Sequence, residues 1–142
     1  LERLGEMLNA RDNVAAFYRE RLTQLGAEPA GEEDNDDIVL PCENRGDERR
    51  SWFVFVIQLP EGADRDAVIA SLASNGIASK AYLPCIHLLP PYRERFGFKG
   101  GEFPIAERVA ERSLALPFFT SMTEAQVERV CTALGEALGI RP

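Results

Sequence analysis

Apolar and polar positions change rhythm several times along the chain, and each rhythm predicts an element. In residues 1–25, Leu4, Leu8, Ala15, Tyr18, Leu22 and Leu25 recur at helical spacing. Glu2, Arg3, Glu6, Arg11, Asp12, Arg19, Glu20 and Arg21 fall on the other side. This is one long amphipathic helix, and Gly26 is a suitable stop. Such a helix packs on a single neighbour or connects two domains. Residues 28–50 are polar and read as loop, apart from a short strand at Ile38-Val39-Leu40 closed by Pro41. The run Glu32-Glu33-Asp34-Asn35-Asp36-Asp37 reads as solvated surface rather than a metal site.

Trp52 to Leu59 is aromatic and β-branched almost throughout, which predicts a strand buried on both faces in the middle of a sheet. Pro60, Gly62 and Asp64 mark a turn and a helix start. Val68, Ile69 and Leu72 give that helix a buried face, and Asn75-Gly76 ends it. Residues 77–83 alternate well enough for another strand. Strand, helix, strand with short links makes an α/β-type unit whose helix covers one face of the sheet. From Pro84 to Gly101, prolines and glycines exclude long elements, although Pro91 can open a short helix through Phe96. A helix over 104–113 begins on Pro104, and Leu114-Ala115-Leu116-Pro117 is extended. Thr123 and Gln126 form a capping box for a last helix with Val127, Val130, Cys131, Leu134 and Leu138 on its apolar face.

Composition narrows the setting. At 142 residues, 45% hydrophobic and 27% charged, the chain suits one domain with a packed core. No apolar run approaches the ~20 residues that span a bilayer, and no signal-peptide pattern opens the sequence. The chain begins at Leu1, inside a helix and without an initiator Met, as a processed product or a fragment of a longer protein would. A net charge of −7 argues against nucleic acid or an anionic membrane as the main partner. It leaves room for a phosphorylated ligand in a local basic pocket. Cys42, Cys85 and Cys131 lack CxxC spacing, consistent with a reduced, cytoplasmic protein.

Few residues can carry chemistry. Only Lys80 and Lys99 could form a Schiff base. Lys99 stands beside Gly100-Gly101, but nothing upstream forms a phosphate cradle, so it reads as an exposed loop residue. Lys80 precedes Tyr82 by two residues, so both project to one side of the strand and could receive a phosphate or a sugar hydroxyl. The competing reading is an edge-strand lysine that keeps the sheet soluble. His87 is the only histidine and lies in a proline-flanked loop, where functional groups gather. A hydrogen-bonded structural histidine is the alternative. Zinc is a poor explanation, because Cys85 and His87 are two apart on an extended chain and Cys42 is remote.

The ordered motifs go further than spacing does. Gly76-Ile77 leading through a strand to Tyr82-Leu83-Pro84-Cys85-Ile86-His87 resembles the "GI" turn and "YxPxH" loop of the DegT/StrS aminotransferases. Ser51-Trp52-Phe53-Val54 resembles their "SWFVY" strand and Phe103-Pro104-Ile105-Ala106-Glu107 their "FPxAE" helix start. Leu114-Ala115-Leu116-Pro117 resembles their "LxLP" strand, and Met122 to Val127 the start of their final helix. The resemblance covers nearly the whole chain.

It implies the C-terminal small domain of a fold-type I enzyme dependent on pyridoxal phosphate. The fold class is then α/β, of the α+β-like kind, with a small, mostly antiparallel sheet covered by helices. Residues 1–27 would be the interdomain linking helix and 28–142 the small domain, with the cofactor-binding large domain outside this chain. The implied reaction moves an amino group, usually from glutamate, onto a nucleotide-linked keto-sugar for cell-surface polysaccharide or secondary-metabolite synthesis. The full-length protein is expected to be a homodimer. The lysine that holds the cofactor would lie in the large domain, leaving this fragment inactive, without catalytic, cofactor-binding or metal residues. His87, and with it Lys80 and Tyr82, would contact the sugar nucleotide at the rim of the site. Many relatives have Arg at or near position 80, which puts a diphosphate role for Lys80 in question. Two competing readings are a stand-alone ligand-binding or regulatory α/β domain and a dimerisation module built on the first and last helices.

Overall fold

A computed structural model describes residues 2–30, 37–44 and 46–140. The acidic run therefore falls almost wholly outside the described residues. The long N-terminal helix is present as α1, Leu4–Gln24, and places Val14, Ala15, Tyr18 and Leu22 in the core. Its first turns bury less than the helical spacing implies, since Leu4 remains exposed, as does the neighbouring Met7. A two-residue strand, β1 (Glu28–Pro29), follows and pairs parallel with β2 (Val39–Leu40). Nothing in the polar sequence around Glu28 signals a strand; the pairing is supplied by the partner.

β3 spans Phe55–Gln58 and sits in the middle of a five-stranded sheet. The central position agrees with expectation, but the strand is shorter and its two faces differ. Phe55 and Ile57 are buried, whereas Val56 and Gln58 are half-buried. Trp52 cannot extend the strand because its φ is +47°, in the left-handed region. That turn seats its ring against Phe55 and beneath the Arg19 and Arg50 guanidinium groups, and leaves Phe53 82% exposed.

Asp64 caps α2 (Arg65–Ser74) by accepting the Ala67 N–H. The strand expected over 77–83 shrinks to β4, Lys80–Ala81, at the sheet edge. A 3₁₀ turn (Ile86–Leu88) and α3 (Pro90–Phe96) follow, and Gly97 closes α3 at a φ of +76°. α4 covers Pro104–Arg112, and β5, Ser113–Leu116, begins at the next residue. α5 (Glu124–Leu138) has both bonds of the Thr123–Gln126 capping box.

The sheet order is β1-β2-β3-β5-β4, and every pair but the first is antiparallel. This is the mixed architecture expected, with a mostly antiparallel sheet. Register pairs Phe55 with Leu116 and Ile57 with Leu114, so these four side chains share one face. Against that face pack Tyr18, Leu22, Leu72, Val127 and Leu134 from α1, α2 and α5. Tyr18 stacks on Phe55 at 4.8 Å, and its buried hydroxyl donates to the Pro117 carbonyl at 2.7 Å. Burial pushes the Tyr18 phenol far above its ordinary pKa, which keeps it a donor. The α1–α5 contact is close at Gly135. A methyl there would meet the Ile140 carbonyl oxygen at 3.2 Å and Leu25 Cδ2 at 3.3 Å.

No helix among the described residues is long and apolar enough to cross a membrane.

Candidate functional site

The candidate site grows from the chain that leaves β4. Lys80 is exposed and pairs with Ala115, which in turn faces Val56 across β5 and β3. Partners directly opposite one another project to the same face, so Lys80 lies on the side of the sheet that α1, α2 and α5 do not cover. Tyr82 continues the edge by one bond, from its N–H to the Ser113 carbonyl at 3.3 Å. Leu83 then takes a φ of +55°, an uncommon conformation for a branched side chain, immediately before Pro84. This kink turns the chain away from the sheet and starts the loop that carries His87.

His87 is held on three sides. Its Nε2 lies 2.9 Å from Glu107 Oε1, and only 12% of its side chain is exposed. The ring meets Phe103 edge-on with centroids 4.7 Å apart and Phe98 at 5.8 Å. Glu107 is itself fixed: the Gly101 N–H donates to both of its oxygens and the Phe103 N–H to Oε1. The Gly101 bond, then His87 and Phe103, hold this carboxyl below the usual carboxylate range, against the opposing effect of burial. Glu102 accepts the Lys99 and Gly100 N–H groups, which lower its pKa too, while burial and the neighbouring Glu107 charge oppose the shift. The irregular stretch 97–107 is thus ordered by two carboxylates gathering four backbone donors.

A groove of about 380 Å³ runs between the end of β4 and α4. Arg65, Ala81, Leu83, Cys85, Glu107 and Glu111 line it, so the end of β4 and the carboxylate that holds His87 open onto one depression. Arg65 reaches across from α2 and donates to the Ala110 carbonyl at 2.6 Å. Of the three candidates read from sequence, Lys80 and Tyr82 are brought together on the β4 edge. His87 has its contacts elsewhere, with Glu107, Phe98 and Phe103.

Nothing in the sequence pattern marks Glu102 or Glu107 as a site residue. Glu107 was visible as the last letter of a helix-start motif, but nothing local tied it to a histidine 20 residues away. One ligand atom from each of His87, Glu102 and Glu107 lies within 4.8 Å of the others, a spacing that a cation could bridge. Backbone N–H groups already balance the charge of both carboxylates. The cysteines considered for zinc are not in this group.

Pyridoxal phosphate does not fit the residues described. Lys99 stands in a glycine loop, as a phosphate cradle would require, yet the Gly100 and Gly101 N–H groups are bound to Glu102 and Glu107. Two ionised carboxylates in that position repel a phosphate. Lys80 lies exposed on an edge strand with no enclosing wall.

Comparison with known proteins gives the family and the fold. The family model described as DegT/DnrJ/EryC1/StrS aminotransferase family matches residues 1–135. DesV of S. venezuelae, solved in complex with a ketimine intermediate, is 27% identical with a TM-score of 0.76, over 96% of this chain and 33% of that one. A DegT DnrJ EryC1 StrS aminotransferase from Brucella abortus is 25% identical with a TM-score of 0.72, over 96% and 32%. The PLP-form of Spr1654 from Streptococcus pneumoniae, a putative sugar aminotransferase, shares the fold at 22% identity and a TM-score of 0.77, over 100% and 34%. The chain spans about a third of the length of the solved structures it matches.

Proposed function

Because the chain belongs to the DegT/DnrJ/EryC1/StrS aminotransferase family, we propose that it forms the C-terminal part of a pyridoxal-phosphate-dependent sugar aminotransferase and supplies the rim of its active site. On this reading residues 1–27 link the two domains, residues 28–142 form the small one, and the large domain binds the cofactor. That cofactor, when bound there, stores the amino group between donor and acceptor. The acceptor is a nucleotide-linked keto-sugar, the donor is glutamate, and the working enzyme is a cytoplasmic homodimer.

One observation carries the reading. The single histidine is locked by a carboxylate and two aromatic rings, and that carboxylate, Glu107, also lines the groove that starts at Ala81 on the end of β4. A group held that firmly can orient a ligand without first losing its own rotamer freedom. Lys80 adds a cation with no ion pair among the described residues, and Tyr82 adds a phenol on the same edge.

In the full-length enzyme, His87→Ala is expected to raise KM for the sugar substrate or lower turnover, with the absorbance of the attached cofactor unchanged. Unaltered kinetics would remove His87 from the site. Lys80→Ala is expected to weaken the nucleotide part of the substrate, whereas a loss of stability alone would make Lys80 an edge-strand residue. The 142-residue chain mixed with pyridoxal phosphate is expected to form no covalent adduct. A stable adduct on Lys80 or Lys99 would make that residue the cofactor lysine and refute the assignment.

A further inference from the structure

The contact between His87 and Glu107 determines more than where the ring sits. An ionised carboxylate only accepts hydrogen bonds, and both Glu107 oxygens already accept from backbone N–H groups. The 2.9 Å approach of Nε2 to Oε1 therefore requires the ring proton to be on Nε2. In a neutral imidazole the other nitrogen, Nδ1, is then a bare acceptor. Nδ1 has no hydrogen-bond partner among the described residues, nor is it one of the buried polar atoms left without one. Solvent, or a ligand in its place, reaches it.

We propose that Glu107 is the positioning residue of His87, fixing its Nε2–H tautomer so that Nδ1 accepts a hydrogen bond from a ligand hydroxyl or N–H group. The proposal rests on reading His87 as a rim residue and states what that residue recognises. The edge contacts of Phe98 and Phe103 leave the ring few orientations, and reversing it would sacrifice the carboxylate bond. A lone pair at Nδ1 repels phosphate oxygens and favours a donor such as a sugar hydroxyl. The tautomer thus assigns His87 a hydroxyl or N–H donor and not a phosphate. The pattern is the familiar one in which the partner of one imidazole nitrogen sets the role of the other.

The sole histidine makes the test direct. Two-dimensional ¹⁵N–¹H NMR of the 142-residue chain, above the pH at which the imidazole titrates, is expected to show one protonated nitrogen, Nε2, and a bare Nδ1. The Nδ1–H tautomer, or an even mixture, overturns the proposal. Glu107→Ala is expected to release the ring to a mixture, while Glu107→Gln, which keeps an acceptor oxygen, retains Nε2–H. A single Nε2–H tautomer in Glu107→Ala overturns the positioning role, and if that variant does not fold, the wild-type tautomer decides. In the full-length enzyme, His87→Asn places an amide oxygen near Nδ1 and is expected to hold KM within about threefold, while His87→Gln raises it roughly tenfold. The reverse order overturns the hydroxyl assignment. Unchanged KM in both variants, with the Nε2–H tautomer in place, overturns the rim reading but not the Glu107 contact.

Discussion

Phe55 and Phe96 are the same side chain in two regions built on different principles. Phe55 is fully buried and stacks with Tyr18, Trp52 and Phe118. Phe96 is 57% exposed and stacks with Tyr92 at the end of α3, a helix that buries no residue. The first region, sheet plus α1, α2 and α5, is held by apolar surface removed from water. The second, residues 83–107, is held by prolines, a left-handed Leu83 and two carboxylates that collect backbone donors. The lesson is that the scaffold and the candidate site respond to different perturbations, even though they meet at β4 and β5.

The largest expected effect breaks the first region. Phe55→Ala should cost about 3–5 kcal/mol, measured as a fall in the urea midpoint, because it empties the centre of the aromatic cluster. Thr123→Ala should cost about 1 kcal/mol by the same measurement, through loss of the N-terminal cap of α5. Acid should separate the two regions. Glu102 and Glu107 have lowered folded-state pKa values, so the stability they contribute is present above the unfolded carboxylate value of about 4.3. It is lost as pH falls through their lower folded values. Amide exchange at Gly101 and Phe103, corrected for the intrinsic acid rate, should accelerate there before exchange in β3 does. Simultaneous acceleration would show that the regions are not separable. The smallest effect is expected for Phe96→Ser, within about 0.5 kcal/mol of wild type. A cost near that of Phe55→Ala would erase the distinction.

The first region was largely legible in the sequence because its rules are local or periodic. The helical stripe through Ala15, Tyr18 and Leu22, the Asp64 and Thr123 caps and the Leu114–Leu116 strand are all written within a few residues of themselves. Errors arose where tertiary context decided. β1 exists only because β2 lies beside it, and the run from Trp52 stops being a strand where Trp52 turns to meet Phe55. Of the candidate site, His87, Lys80 and Tyr82 could be nominated, but their partners could not. Glu102 and Glu107 act through N–H groups that carry no side-chain signature, and the histidine that Glu107 holds lies beyond any helical or strand period.

Gly135 has a consequence of a different kind. Within a helix an alanine is favoured by about 1 kcal/mol on intrinsic propensity alone, yet at this position in the last turn of α5 the space is already taken by Leu25 and the Ile140 carbonyl. Sequence drift at position 135 is therefore restrained by volume rather than by flexibility. A designer who replaced this glycine to stiffen α5 would push it away from α1. A smaller side chain at Leu25 would relieve only the side-chain half of the clash, because the Ile140 carbonyl is backbone, so both neighbours have to be considered in any library built on this scaffold.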